Sequence, residues 1–159
     1  MARMRMGLLL VALIAGSATP ALADATAFIG ANTTPTNHQV RGVAIGMGII
    51  FAVEFEYANA SEDLDAGAPA LRTGMVNGVI QPPFGLAGVQ PYVTFGVGLY
   101  RERLDDHQQT GVGLNTGGGV KVSLVGPLRL RIDYRVFKLG DDALHSPAHR
   151  VYAGLNLRF

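Results

Sequence analysis

The sequence predicts an all-β domain of eight antiparallel strands that follow one another in an up-and-down order. Two observations predict it. Eight segments after residue 23 alternate between apolar and polar side chains, and the connections between them alternate between long and short. A period of two is what a strand with two different faces requires. Connections of alternating length are typical of a meander that is elaborated at one end.

The first 23 residues carry the features of a secretory signal peptide. Basic residues precede the apolar run 7–15, which is shorter than the roughly 20 residues that a membrane-spanning helix needs. An N-terminal membrane anchor is therefore the less favoured alternative. We expect residues 1–23 to be removed and residues 24–159 to form one domain. The expected cleavage site consists of Ala21, Ala23 and Asp24.

The first four predicted strands differ in how clearly they alternate. They cover approximately residues 25–32, 39–48, 50–59 and 70–81. The third is the clearest, because FAVEFEY places four apolar or aromatic residues on one face and Glu54 and Glu56 on the other. The first and the fourth alternate poorly.

The last four predicted strands alternate more regularly. They cover approximately residues 90–101, 110–124, 127–138 and 148–159. In LRLRIDYRVFK, which begins at Leu128, Leu, Ile, Tyr and Val share one face. The other face consists of Arg129, Arg131, Asp133 and Arg135.

The connections predict two different ends for the meander. Consecutive connections lie at opposite ends, so the long polar ones are predicted to share one end. The long connections are 32–38, 59–69, 102–109 and 139–147, and the short ones lie near Gly48 and at 82–89 and 125–127. The long set holds eight of the 12 acidic residues, namely Glu62, Asp63, Asp65, Glu102, Asp105, Asp106, Asp141 and Asp142.

Alternation alone leaves three environments open: a soluble sandwich, a soluble ligand barrel and a membrane barrel. In a membrane barrel, the apolar face meets lipid and the polar face lines the interior. Glycine suits a solvated strand face poorly but fits a narrow interior opposite large side chains. The glycines therefore favour the membrane barrel, with bulges and bends as the alternative explanation. They are Gly42, Gly46, Gly48, Gly74, Gly96, Gly98, Gly113, Gly117, Gly119 and Gly154.

Charged residues in the strands predict an ion-pair network inside a closed barrel. An unpaired charge in such an interior is very costly, so Glu54 and Glu56 are expected to pair with basic residues. The predicted lumen network consists of Glu54, Glu56, Arg72, Lys121, Arg129, Arg131, Asp133, Arg135, Arg150 and Arg158. The alternative is an exposed basic stripe on a soluble sheet.

The last segment, RVYAGLNLRF, ends on an aromatic residue after apolar residues at alternate positions. These residues are Val151, Ala153, Leu155, Leu157 and Phe159. With this ending, the chain resembles the small outer-membrane β-barrels of the OmpA/OmpX-like group. The resemblance implies an eight-stranded transmembrane β-barrel in the outer membrane of a Gram-negative-type bacterium, reached by export through the inner membrane. It also implies that the five residues are an assembly signal, although Leu157 stands where the family often has an aromatic residue.

The resemblance further implies a set of partners for a monomeric barrel. These are outer-membrane lipid and lipopolysaccharide, the outer-membrane assembly machinery and periplasmic chaperones. Aromatic girdles at the membrane interfaces are expected from Tyr57, Tyr92, Tyr100, Tyr134 and Tyr152. The 13 basic and 12 acidic residues give no excess of charge that indicates nucleic acid, and without cysteine no disulfide can form.

Three classes of function stay open. The favoured class is a structural or surface-interaction role through the acidic loops. A narrow passive pore is the alternative, although side chains can fill the interior of eight strands. A lipid A-modifying enzyme is third, because adjacent His145 and Ser146 would point to opposite faces of a strand. His145, His149, Asp141 and Asp142 lack the tight spacing of metal ligands, so no catalytic residue, metal or cofactor is predicted.

Overall fold

A computed structural model describes residues 23–159, which form eight β-strands. The strands are β1 (Ala23–Asn32), β2 (His38–Gly48), β3 (Phe51–Ala60), β4 (Ala70–Ile80), β5 (Val89–Leu104), β6 (His107–Val125), β7 (Leu128–Lys138) and β8 (Ala148–Arg158). The predicted signal peptide, including Ala21, lies outside the described residues except for Ala23, which begins β1 together with Asp24. No helix in the described range is long and apolar enough to cross a membrane.

The eight strands pair in chain order, each antiparallel to the next, and β1 pairs with β8 to close the sheet. The closing ladder runs from the Asp24–Arg158 pair to the Asn32–Arg150 pair. Closure leaves no free strand edge, so the backbone N–H and C=O groups pair within the sheet. The prediction of an eight-stranded, antiparallel, up-and-down barrel is therefore confirmed.

The connections fall into two groups, here called the loop end and the turn end of the barrel. The loop end contains residues 33–37, 61–69, 105–106 and 139–147, and the turn end contains 49–50, 81–88 and 126–127. Ala23 and Phe159 meet at the turn end. Each donates its backbone N–H to the other's carbonyl oxygen, at 3.0 and 2.9 Å.

One predicted loop is wrong. Where the sequence predicts a polar loop over 102–109, β5 and β6 continue as a hairpin in which Leu104 pairs with His107. Asp105, in the turn, has a φ of 52°, a conformation that aspartate adopts more readily than most residues. Polar side chains lie on both faces of this hairpin tip, so the apolar alternation that marks the other strands is missing here.

Most large apolar side chains of the strands point outwards from the barrel, and a set of charged side chains points inwards. The lumen holds Arg131, Arg135 and Arg150, each with 0% exposure. Large apolar side chains lie exposed on the outer face of all eight strands, and we call them the apolar belt. The belt consists of Ile29, Val43, Ile45, Met47, Phe51, Val53, Phe55, Val76, Ile80, Val93, Phe95, Val97, Leu99, Val112, Leu114, Ile132, Val151, Leu155 and Leu157. This is the reverse of the arrangement in a soluble domain.

The lumen becomes apolar towards the loop end. A cluster of buried apolar and aromatic side chains fills it there, and we call this cluster the apolar plug. It comprises Val40, Ala58, Ala60, Leu71, Tyr100, Phe137, Leu139 and Ala148. Buried Glu102 accepts a hydrogen bond from the Leu144 backbone N–H at 3.0 Å, which ties the 139–147 loop to β5.

Interior glycines leave space for large lumen side chains. Phe28 and Tyr152 stack with their ring centroids 4.0 Å apart. A Cβ atom on Gly42 would overlap Phe28 Cζ, and one on Gly154 would lie 2.8 Å from Phe28 Cβ. Gly74 points outwards, and the position of its Cβ atom has no such neighbour within 4 Å. Gly42 and Gly154 therefore act as spacers opposite a large ring, and Gly74 does not.

We expect Gly42→Ala to lower the free energy of unfolding by about 1–3 kcal/mol, the usual cost of overpacking a filled interior. The added methyl group would overlap both the Phe28 ring and the Tyr57 carbonyl oxygen. Gly74→Ala is the matched control, since its methyl group enters open space. Urea unfolding of the barrel in vesicles measures both, and equal losses would contradict the spacer role.

Candidate functional site

The charged residues of the lumen come from strands that place alternate side chains inside. β3 contributes Glu54 and Glu56, and β7 contributes Arg131, Asp133 and Arg135. Side chains two positions apart share a strand face, so each strand presents a column of charge. β3 and β7 are four strands apart in the closed sheet of eight, so the columns face each other across the barrel.

Two arginines and two carboxylates form the centre of this network. Arg131 Nη1 lies 2.5 Å from Glu54 Oε2, and Arg135 Nη2 lies 2.9 Å from Glu54 Oε1. Asp133, between the two arginines on β7, lies 3.2 Å from Arg131 Nη2 and 2.9 Å from Arg135 Nε. Each carboxylate therefore contacts both arginines, and the four charges sum to zero. All four side chains are 3% exposed or less.

Glu56 connects this centre to the loop end of the lumen. Its Oε2 atom lies 2.9 Å from Arg135 Nη1, an ion-pair contact whose angle does not meet hydrogen-bond geometry. Its Oε1 atom lies 3.1 Å from Arg150 Nη1. Arg150 also donates to Asn32 Oδ1 at 3.1 Å, and its guanidinium carbon lies 4.3 Å from the centroid of the Phe137 ring. Arg150 thus lies where the ion pairs meet the apolar plug.

Asp24 anchors the network at the turn end. Its Oδ2 atom accepts from Lys121 Nζ at 2.6 Å and from Arg129 Nη2 at 3.0 Å. One carboxylate from β1 therefore serves two cations, from β6 and β7. The sequence predicts Asp24 only as part of the cleavage site. The first predicted strand begins one residue later, at residue 25, so the sequence does not predict an inward position for Asp24.

Neutral amides, which are not among the predicted lumen residues, complete the network. Asn77 donates to Glu54 Oε1 at 3.2 Å and accepts from Asn115 at 2.8 Å. Gln81 accepts from Lys121 Nζ at 3.2 Å, and Gln90 accepts from Arg129 Nη1 at 2.8 Å. Asn77, Asn115 and Gln90 lie on the inward face of their strands, a regularity that could have identified them.

Two tyrosines take part in the network, contrary to their predicted place in aromatic girdles. The Tyr92 hydroxyl donates to the Asp133 carboxylate and accepts from Arg131 Nε at 2.7 Å. The Tyr152 hydroxyl accepts from Arg135 Nη2 at 3.3 Å. Tyr100 is also buried in the lumen, so the girdle prediction is wrong for these three residues. Tyr57 and Tyr134 do lie on the outer face, with 52% and 47% exposure.

Arg72 and Arg158 differ from the other predicted lumen residues. Arg72 is exposed on the outer face of β4, so its predicted lumen position is wrong. Its neighbours Leu71 and Thr73 take the inward positions, because the lumen is partly apolar at that level. Arg158 is half-buried at the turn end, and no ion pair to it occurs in the described part of the chain. The other eight predicted residues are buried and take part in ion pairs.

The space left in the turn-end half of the lumen is very small. Two cavities there are lined by Asp24 and Gln81, the first also by Arg129 and the second by Lys121 and Glu54. Each has a volume of about 10 Å³, close to the least that holds one water molecule. Side chains therefore fill the charged section.

The histidine-containing loop does not form a nucleophile–base pair in the described residues. Ser146 Oγ accepts from the Leu139 backbone N–H at 3.1 Å and lies 3.3 Å from the Leu139 carbonyl oxygen. His149 faces outwards from β8, where its Nδ1 atom lies 2.7 Å from the Tyr134 hydroxyl. Within residues 23–159, no group of three or more potential metal ligands occurs, including around Asp141 and Asp142.

A closed eight-stranded barrel with an apolar exterior and an ion-paired lumen is the architecture of small outer-membrane β-barrels. Solved structures agree with this class. The N-terminal β-barrel domain of Pseudomonas aeruginosa OprF matches with a TM-score of 0.66 and 17% identity, over 87% of this chain and 98% of that domain. The outer membrane protein Ail of Yersinia pestis matches with a TM-score of 0.56 and 12% identity, over 86% of this chain and 99% of its own.

A major outer membrane protein from Thermus thermophilus matches with a TM-score of 0.57 and 14% identity, over 86% of this chain and 99% of its own. At these identities, the three likenesses show a shared fold. The resemblance to small outer-membrane barrels is confirmed at that level. No protein-family profile matches the sequence, and no curated protein matches it significantly.

We expect Glu54→Gln to lower the free energy of unfolding by about 3 kcal/mol or more, because it leaves buried arginine charge without its partner. Both Arg131 and Arg135 contact this carboxylate. Glu62→Gln is the control, since it removes a carboxylate whose partner, Arg103, lies at the surface with its side chain 59% exposed, and a change within about 0.5 kcal/mol is expected. Urea titrations followed by gel mobility measure both variants. A Glu54 variant as stable as the Glu62 variant would show that the buried network does not hold the barrel together.

Proposed function

We propose that this chain is an integral β-barrel of the outer membrane in a Gram-negative-type bacterium, with a structural and surface-interaction role carried by its loops. The observation that carries the proposal is the inverted burial. Exposed apolar side chains lie on all eight strands, while arginines in the lumen are wholly buried. Soluble proteins rarely expose apolar patches of more than a few hundred Å², so a continuous apolar belt calls for lipid around it.

The orientation in the membrane follows from the two ends of the barrel. Outer-membrane barrels have short periplasmic turns and longer extracellular loops. The loop end therefore faces the cell exterior, and the turn end, with Ala23 and Phe159, faces the periplasm. In this orientation, the apolar side chains of β8 that form the predicted assembly signal belong to the outward, lipid-facing surface. Assembly machinery and periplasmic chaperones are the proposed partners before insertion.

The loops support a surface role because they are acidic, exposed and partly held in place. Asp105, Asp106, Asp141 and Asp142 are exposed at the loop end. Glu62 accepts a hydrogen bond from the Asp105 backbone N–H at 2.8 Å, which connects the 61–69 loop to the β5–β6 hairpin. The loop end thus presents a defined anionic surface, which is suited to a hydrated cell exterior and to basic partners.

The alternatives receive less support from the geometry. A narrow pore would need a path through the lumen. Ion pairs fill the lumen towards the turn end, and the apolar plug fills it towards the loop end. A lipid A-modifying enzyme would need a nucleophile and a base within hydrogen-bond reach of each other. The Ser146 hydroxyl instead accepts a hydrogen bond from the backbone N–H of Leu139.

We expect the protein in the outer-membrane fraction, with a gel mobility that changes on boiling, and with no conductance above leak in planar bilayers. Conductance above leak would favour the narrow pore, and a change in lipid A acylation that depends on His145 and His149 would favour the enzyme. Recovery of the folded protein from the soluble periplasm would overturn the membrane proposal. Glu54→Gln is the positive control. It removes ion pairs that fill the lumen, so it shows whether the bilayer assay can detect an opened barrel.

We expect Phe55→Lys to lower the free energy of unfolding in vesicles by about 2–4 kcal/mol, since lysine on a lipid face is costly near the bilayer midplane. Leu64→Lys is the matched control, because Phe55 and Leu64 are each 62% exposed but Leu64 lies in the acidic 61–69 loop. If water surrounds both positions, the two variants will change stability equally. That result would contradict the assignment of the belt to lipid.

A further inference from the structure

Basic residues on the outer face of the strands are confined to the loop end of the barrel. We call them the basic band, and they are Arg41, Arg72, Arg101, Arg103 and Lys138, all exposed. The five acidic residues of the eight strands, by contrast, are all buried in the lumen, namely Asp24, Glu54, Glu56, Glu102 and Asp133. The strands therefore present positive charge, and no negative charge, along the loop-end border of the apolar belt.

Two members of the band are placed directly opposite each other. Arg72 on β4 pairs in register with Arg101 on β5. Like charges in this position destabilise a sheet. Arg101 Nε donates to Thr110 Oγ1 at 3.3 Å, and neither arginine forms an ion pair within the described residues. A bound anion between the two guanidinium groups would remove this repulsion.

A surface concavity lies at these arginines. It has a volume of about 220 Å³, and its polar lining includes Arg72, Arg101, Arg103 and Gln108. Glu62 is the one acidic group that lines it, and Glu62 lies 3.4 Å from Arg103 Nη2. Three guanidinium groups and one carboxylate thus line the concavity, which leaves it net positive and rich in the donors that bind a phosphate group.

The surface next to the arginines, on the side of the turn end, is apolar and open. Gly74 is the next outward residue of β4 after Arg72, and its Cβ position has no non-adjacent atom within 4 Å. Tyr57 and Leu99 pair with Gly74 from either side, with 52% and 61% exposure. The outer surface next to the guanidinium groups is therefore low at Gly74 and flanked by apolar side chains, an arrangement that suits an anionic head attached to an acyl chain better than a free anion.

We propose that Arg72 and Arg101, assisted by Arg103, bind the phosphate of a phosphorylated glycolipid in the outer leaflet, with an acyl chain over Gly74. This inference rests on the proposed function, since it needs the barrel in an outer membrane with its loop end outwards. Arginine suits the task because its planar fork binds phosphate oxygens in pairs.

The test measures how tightly the folded barrel, purified in a neutral detergent, retains lipid in native mass spectrometry. The probes are bisphosphorylated lipid A, dephosphorylated lipid A and inorganic phosphate. We expect wild-type protein to retain the phosphorylated lipid in preference to the dephosphorylated form. The double variant Arg72→Gln/Arg101→Gln should weaken this retention about tenfold, or about 1.4 kcal/mol. Arg41→Gln/Lys138→Gln is the matched control, because it removes the same charge from distant strands of the same band, and it should change retention little.

Three results would overturn the inference: equal retention of the dephosphorylated lipid, equal losses in the two double variants, or full competition by inorganic phosphate alone. If the double variant fails to fold, Arg101→Gln alone carries the same test. A barrel that is found in the outer membrane but shows no phosphate preference overturns only this inference. A protein that never reaches the outer membrane overturns the proposed function instead.

Discussion

The charges inside the barrel must neutralise one another, because eight strands leave almost no room for water around them. Glu54 and Asp133 each share two arginines, and Glu56 and Asp24 each serve two cations. A slip of one residue in any of these strands would turn its charges towards the apolar exterior. The network therefore selects one register among the possible ones, whatever its net contribution to stability.

The same constraint explains the small and aromatic residues of the interior. Guanidinium groups are flat, and the rings of Tyr92 and Phe137 lie against them while the Tyr92 hydroxyl satisfies a carboxylate. Bulky rings in turn need neighbours without side chains, which Gly42 and Gly154 provide for Phe28. Ion pairs, rings and glycines thus form one packing arrangement rather than three independent ones.

Strand number, order and closure could be predicted from the sequence because an apolar outer face and a charged lumen impose a period of two along most of each strand. The prediction of which face points inwards failed at Arg72. At that level the lumen holds the apolar plug, and the outer face carries the basic band. Residues 102–109 look like a loop for a different reason, since both faces of that hairpin tip carry polar side chains. The period of two accounts for the inward positions of Asn77 and Asn115, but their hydrogen-bond partners lie on other strands and could not be predicted from residue type. Asp24 precedes the first predicted strand, so its place in the network could not be predicted either.

Asp24 also bears on the order in which the chain can acquire its structure. It contacts Lys121 and Arg129, which lie 97 and 105 residues further along the chain. Asp24 therefore lacks both charged partners until the chain has formed β6 and β7. Contacts between such distant residues slow folding. Until the barrel closes, its apolar surface stays uncovered. Aggregation competes with assembly during this period, so the rate of closure matters as well as the stability of each strand.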